Sequence, residues 1–239
     1  MAEPVSFFTV MGFGPEGWGP LMIKAAGMTL SVSLCGYLTG LLIGILGAWA
    51  KLRGGRLTHH LAKAYTTILR GIPDLLVIFI LYFGSAAAIR PIAHLGGYEG
   101  FLAPPGFLAG FLAIGVISGA YQTEVLRGAA QAVSKGELEA AKAYGMGGFL
   151  LFRRVLTPLA LRCAIPGLAN IWQMVLKEAA LVSVTGVVEL VRQAQLGAGA
   201  TRDPFSFYIA ACCLYLVITT VTGLMFQIAE ARVMRGVRQ

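Results

Sequence analysis

Between Lys24 and Lys51 the chain carries no charged side chain. An α-helix needs about 20 apolar residues to cross the ~30 Å hydrocarbon core of a bilayer. An uncharged run of this length points to a membrane-spanning helix rather than to a soluble fold. Inside the run, Gly36-x-x-x-Gly40-x-x-x-Gly44 repeats a small residue on one helical face, where a second helix can approach closely. Further apolar stretches read the same way. The expected class is an all-α, polytopic membrane protein with five spans, near residues 25–50, 61–83, 106–127, 152–176 and 205–229. Composition agrees, with 57% hydrophobic and 13% charged residues over 239 positions. A soluble domain has about 25% charged residues. One membrane domain, residues 1–239, accounts for the whole chain.

The second span contains Pro73, which should kink it. Arg70 and Asp74, four apart, are placed to pair on one helix face. Residues 85–105 read as a Gly/Pro-containing connection. The fourth span is interrupted by Pro158, Arg162 and Pro166 and ends at Lys177-Glu178. Residues 179–203 are Gly-rich, with a short helix expected over 187–196. The first twenty residues contain no Lys or Arg, and no cleavable signal peptide is expected.

The net charge is +8, from 19 basic and 11 acidic residues. Most of the basic residues fall after spans one and three and in the C-terminal tail, including Lys51, Arg53, Arg56, Lys142, Arg153 and Arg154. Cytoplasmic loops of membrane proteins concentrate Lys and Arg. The N-terminus is therefore expected outside and the C-terminus in the cytoplasm. Basic residues so distributed, without interleaved surface aromatics, do not indicate nucleic acid. The four cysteines lie in apolar segments without metal-ligand spacing, and the three histidines have no ligand partner nearby, so no metal site is expected. No Walker lysine motif and no nucleophile elbow is present, and Gly145-Met-Gly147-Gly148 is not followed by Gly-Lys-Ser/Thr. No catalytic residue is expected, and any ATP must be hydrolysed by another chain.

Ser134–Pro158 is a polar island between two apolar segments. Ser134 and Glu137 have the spacing of a capping box, which satisfies two orphan backbone donors at a helix start. Gly145 is placed to stop that helix. The result is a helix of about ten residues, roughly 15 Å long, with Leu138, Ala141 and Tyr144 on one face. Such a helix suits a groove on a partner, although a solvated connection would have the same composition.

Ionisable residues at membrane depth are costly to bury and are candidates for a transport path. Asp74, Glu124, Lys177 and Glu178 qualify. Arg70–Asp74 and Glu124–Arg127 also read as structural ion pairs. Asn170 and Gln173, three apart with Trp172 between them, either face a pore or join helices.

At the island the chain resembles the permease subunits of ABC importers. These carry a cytoplasmic EAA loop: Glu-Ala-Ala, three residues, Gly, nine residues, then Ile-x-Leu-Pro. Here Glu139-Ala140-Ala141, Gly145 and Pro158 are in register, with Val155 in place of Ile and Thr157 in place of Leu. The resemblance extends from about Thr29 to Ala231. Tyr65-Thr-Thr-Ile-Leu-Arg70-Gly-Ile-Pro73-Asp74 is similar to the signature of polar amino-acid importers. Asp74 in particular resembles the Q-type permeases for histidine, lysine, arginine and ornithine and their opine-transporting relatives. Gly119–Gly128 and Leu176–Leu190 match the same group, although Glu178-Ala179-Ala180 departs from its more usual Lys-x-Thr-Ser/Ala.

The resemblance implies the type I importer permease fold in a bacterial inner (plasma) membrane. It implies an M-type second permease as heterodimer partner, two ABC ATPase subunits carrying ATP and Mg, and a periplasmic substrate-binding protein. The transported substrate would be a polar, basic amino acid or an opine. Residues 134–158 would be the ATPase-coupling loop, with Glu139, Ala140, Ala141, Tyr144 and Gly145 at the contact. A secondary transporter driven by an ion gradient is the competing reading, weakened by the lack of an internal repeat. A membrane scaffold without transport is a third.

Overall fold

The computed structural model describes residues 7–14, 17–95 and 105–234. Among these residues all regular structure is helical. The short helix α1 (Phe7–Val10) precedes α2 (Gly19–Arg53), whose 35 residues reach about 50 Å, well beyond a hydrocarbon core. Lys51 and Arg53 lie in its last turn, where the helix dipole favours cations. Leu34, Leu38, Leu42, Leu46 and Trp49 are exposed, as a lipid-facing surface requires, while Gly36, Gly40 and Gly44 are buried.

The glycine face meets α5 (Gly106–Ala132). A β-carbon on Gly36 would stand 2.7 Å from Ile114 Cγ2, and one on Gly44 would stand 2.8 Å from Gln122 Cβ. The small residues let the two backbones close to a distance that no larger side chain permits. Contacts advance together along both helices, so α2 and α5 run parallel. Gln122 Nε2 donates to the Tyr37 carbonyl oxygen at 3.1 Å across the seam. Tyr37 in turn packs edge-on against Trp172, with ring centroids 5.4 Å apart, and donates its hydroxyl to the Leu168 carbonyl at 3.2 Å.

Two parallel helices need a return segment between them. It is formed by α3 (Arg56–Leu69) and α4 (Asp74–Leu95), bent by 111° at the break. The single helix expected over 61–83 is therefore two helices. Pro73 cannot donate to the preceding turn; its own carbonyl accepts from Leu76 and Val77 and starts α4. The expected connection at 85–105 begins later than anticipated, because α4 continues to Leu95. The expected Arg70–Asp74 ion pair is absent among the described residues. The bend turns Arg70 toward α5, where its guanidinium lies 5.3 Å from the Tyr121 ring centroid. Residues 1–6, 96–104 and 235–239, where part of the expected lead-in, connection and tail falls, lie outside the described residues.

After α5 come the island helix α6 (Lys135–Ala143) and the single turn α7 (Gly148–Leu151). A π-helical turn at Phe152–Leu156 then leads into α8 (Thr157–Glu178). Pro166 is accommodated inside α8 without ending it. A 3-10 turn, Ala179–Thr185, closes at Gly186, whose φ of 85° suits glycine. The short helix expected at 187–196 is α9 (Leu190–Thr201), capped by buried Glu189 through the N–H groups of Val191 and Arg192 at 2.8 and 2.7 Å. The last described helix is α10 (Pro204–Met234). Four stretches are long and apolar enough to cross a membrane: Gly19–Arg53, Gly106–Ala132, Gly148–Thr185 and Pro204–Met234. The bent α3–α4 pair adds a fifth if it counts as one span. Arg232 and Val233 line a cavity with Pro158 and Leu161, so α10 ends where α8 begins, at the α6 end of the bundle.

Candidate functional sites

The geometry of α6 follows from its two ends. The Ser134 hydroxyl accepts from Glu137 N–H at 3.3 Å, and the Glu137 carboxylate accepts from Ser134 N–H at 3.1 Å. At the other end Gly145 adopts φ 78°. Its N–H donates to the Lys142 carbonyl, and the N–H of Met146 donates to that of Ala141. This paired arrangement satisfies carbonyls that the helix leaves open. Ala141 is buried and Leu138 half-buried, while Glu139 and Ala140 are exposed. Tyr144 is 87% exposed, so it does not share the inward face of Leu138 and Ala141. Glu139 has no hydrogen-bond or ion partner among the described residues. Its carboxylate is available to another chain.

The intramembrane candidates divide into separate neighbourhoods. Glu178, the last residue of α8, is only 5% exposed. Neither of its carboxyl oxygens meets an N–H or alcohol donor among the described residues. What it meets is another acid: Asp74, in the first turn of α4 beyond the bend, is its electrostatic neighbour. Tyr121 lies within reach of both acids and of Arg70. The α3–α4 break thus brings Asp74 to the end of α8, a meeting that sequence spacing alone did not reveal.

Glu124 belongs elsewhere. It pairs with Arg127 at 2.8 Å and with Lys51 from α2. Lys51 also donates to the Thr66 hydroxyl of α3 at 2.5 Å, and its side chain is only 6% exposed. Lys51 had counted only as a topology-setting charge; it fastens α2, α3 and α5 together at one end. Lys177 and Asn170 are exposed and touch neither acid cluster. Gln173 is half-buried and donates to the Thr219 carbonyl of α10 at 3.5 Å, a helix-joining contact.

Between these two neighbourhoods lies a cavity of about 640 Å³. Its lining includes Lys51, Lys63, Arg70 and Arg127 with one acid, Glu124, among neutral residues such as Thr66, Thr67 and Tyr121, so its net charge is positive. Arg70 and Tyr121 belong both to the cavity wall and to the surroundings of Asp74 and Glu178. Among the described residues no group of His, Cys, Asp or Glu has the arrangement of a metal site.

Residues 40–235 match the protein family described as binding-protein-dependent transport system inner membrane component. The octopine transport system permease protein OccQ of Rhizobium meliloti is 55% identical over 98% of this chain and 99% of its own length. The nopaline transport system permease protein NocQ of Agrobacterium fabrum is 47% identical over 96% and 98%. The histidine/lysine/arginine/ornithine permease HisQ of Salmonella typhimurium is 37% identical over 93% and 97%. Among solved structures, a chain of an amino acid ABC transporter crystallised with histidines superposes with a TM-score of 0.77 at 31% identity. It covers 90% of this chain and 95% of its own. A chain of the inward-facing MetNI methionine transporter shares the fold, with a TM-score of 0.61 at 18% identity over the full length of both chains.

Proposed function

The chain belongs to the family of binding-protein-dependent transport system inner membrane components, and from that premise we propose that it imports a cationic amino acid or an opine past the Asp74–Glu178 pair. Permeases of this family leave ATP hydrolysis to separate subunits, which sets aside the reading as an ion-gradient transporter. The observation that carries the substrate reading is Glu178: a buried carboxyl group with no basic partner among the described residues, facing a second acid. Two carboxyl groups in a low-dielectric setting hold either a shared proton or a cation between them, and an arriving cation can take the proton's place. An ammonium or guanidinium supplies both the charge and the N–H donors, and such charge-assisted bonds are the strong ones. The names of the relatives, which specify octopine, nopaline and basic amino acids, support the same class.

In this reading the bent α3–α4 pair is the second of five spans. The N-terminus faces outward, and the α6 end lies in the cytoplasm. The parallel course of α2 and α5 and the concentration of basic residues at the α6 end support that topology. Glu139, Ala140, Ala141, Tyr144 and Gly145 form the contact with an ATPase subunit, which binds ATP and Mg. A second, M-type permease completes the path, and a periplasmic binding protein delivers the substrate. Substrate released from Asp74 and Glu178 moves along the cavity wall at Arg70 and Tyr121.

The test compares uptake of arginine and of citrulline, its neutral near-isostere, by the assembled transporter in proteoliposomes. Glu178→Gln and Asp74→Asn are each expected to cut arginine uptake about tenfold, the equivalent of one charge-assisted hydrogen bond, with far less effect on citrulline. Unchanged arginine uptake in both variants would remove the pair from the path. Asp203→Asn, on the loop before α10, serves as the control.

A further inference from the structure

Arg162 sits one turn into α8, half-buried, in a helix that crosses the membrane. It forms no ion pair or hydrogen bond among the described residues, and neither does Arg232 in the last turn of α10. Glu230, close by in sequence, pairs with neither. Yet both arginines open into one cavity of about 390 Å³, whose remaining walls are Pro158, Leu161, Ile165 and Val233. A guanidinium is never deprotonated in a protein and presents five donors in a planar fork. Two of them converging without an acid, at the end of two membrane helices, call for an external anion.

We propose that this cavity binds the phosphodiester headgroup of an anionic phospholipid, such as phosphatidylglycerol. The wall chemistry selects a lipid over a soluble anion. Four apolar side chains surround the arginine pair, and Leu161 is 45% exposed on the outer surface. The adjoining α10 surface carries Val217, Val221, Leu224, Met225 and Ile228, all exposed and on one face of the helix. A phosphate held between Arg162 and Arg232 leaves its acyl chains against that face. Basic pockets between spans are a recurrent form of anionic headgroup recognition. The site touches neither Asp74–Glu178 nor the exposed residues of α6. Because α8 follows α6 through the π-helical turn, a bound lipid would brace the end of the span through which α6 movement reaches the bundle.

The experiment uses the assembled transporter with its partner subunits in nanodiscs containing phosphatidylglycerol that bears a photoactivatable headgroup. Label is expected on peptides of this chain spanning 158–165 and 232–234. Unlabelled phosphatidylglycerol should compete, whereas phosphatidylcholine and inorganic phosphate should not. The double variant Arg162→Gln/Arg232→Gln should lose labelling by roughly tenfold or more, since each basic residue contributes appreciably to anionic lipid binding. Arg162→Lys/Arg232→Lys keeps the charge and should retain most of the label, which separates lost binding from lost folding. Labelling at other peptides, or labelling indifferent to the Gln variant, would overturn the proposal. Competition by inorganic phosphate would reassign the pocket to a soluble anion. Loss of a partner subunit from the Gln variant with lipid labelling intact would reassign it to a protein carboxylate.

Discussion

Glu178 and Gly44 show opposite ways in which one residue determines this structure. Glu178 brings a cost, a carboxyl group removed from water beside a second acid, which the cationic substrate proposed above would relieve. Gly44 contributes by having no side chain. A methyl there would stand 2.8 Å from Gln122 Cβ and 3.2 Å from the Gln122 backbone carbon, so two helix backbones must separate to admit it. Gly44→Ala should therefore cost about 1–3 kcal/mol, the usual penalty for overpacking, read as a lower melting temperature in detergent. Gly27, which has nothing within 4 Å, should tolerate Ala without loss. The glycine spacing was legible in the sequence because small-residue periodicity reports helix contact directly. The proximity of Asp74 and Glu178 was not, because Asp74 reads as the partner of Arg70, four residues before it, and the spacing gives no sign that Glu178 lies beside it. Only the 111° bend decides the outcome, and a proline announces a bend without giving its angle.

Helices here are defined by their ends as much as by their faces. The capping box at Ser134 and the left-handed Gly145 make α6 a discrete unit at the α6 end of the bundle. Both signals could be read in advance because capping is local chemistry. Ser134→Ala should loosen the first turn by about 1 kcal/mol, detected as faster amide exchange at Glu137 and Leu138 with α5 and α8 unaffected. Lys51 was harder to read. Its charge located one end of α2, but its contacts with Glu124 and Thr66 depend on the parallel packing of α2 on α5 and on where α3 turns. Lys51→Met removes one counter-charge from Glu124 and the donor to Thr66. We expect a loss of about 1–3 kcal/mol, as for a partly buried polar group left unpaired, and partial recovery in Lys51→Met/Glu124→Gln.

The molecule as a whole places two kinds of chemistry apart. The acidic pair lies inside the bundle at the far end of α8, and the exposed, doubly capped α6 lies outside it at the near end. The π-helical turn and the length of α8 connect them. In the function proposed above, such an arrangement would carry movement of α6 to the acidic pair without exposing that pair to the ATPase. The expected outline of apolar crossings and a capped polar helix came from composition and periodicity. How the pieces meet came from tertiary packing.

The central claim is that α6 is where hydrolysis by the partner ATPase becomes transport. Its most direct test is the ratio of arginine imported to ATP hydrolysed by the assembled transporter carrying Gly145→Asp. A non-glycine residue at φ 78° strains the helix stop by about 1–2 kcal/mol, and the added charge alters the docking surface. We expect the ATPase to co-purify poorly and the ratio to fall about tenfold or more, while the permease melts within a few degrees of the wild type. Normal co-purification with an unchanged ratio would contradict the claim.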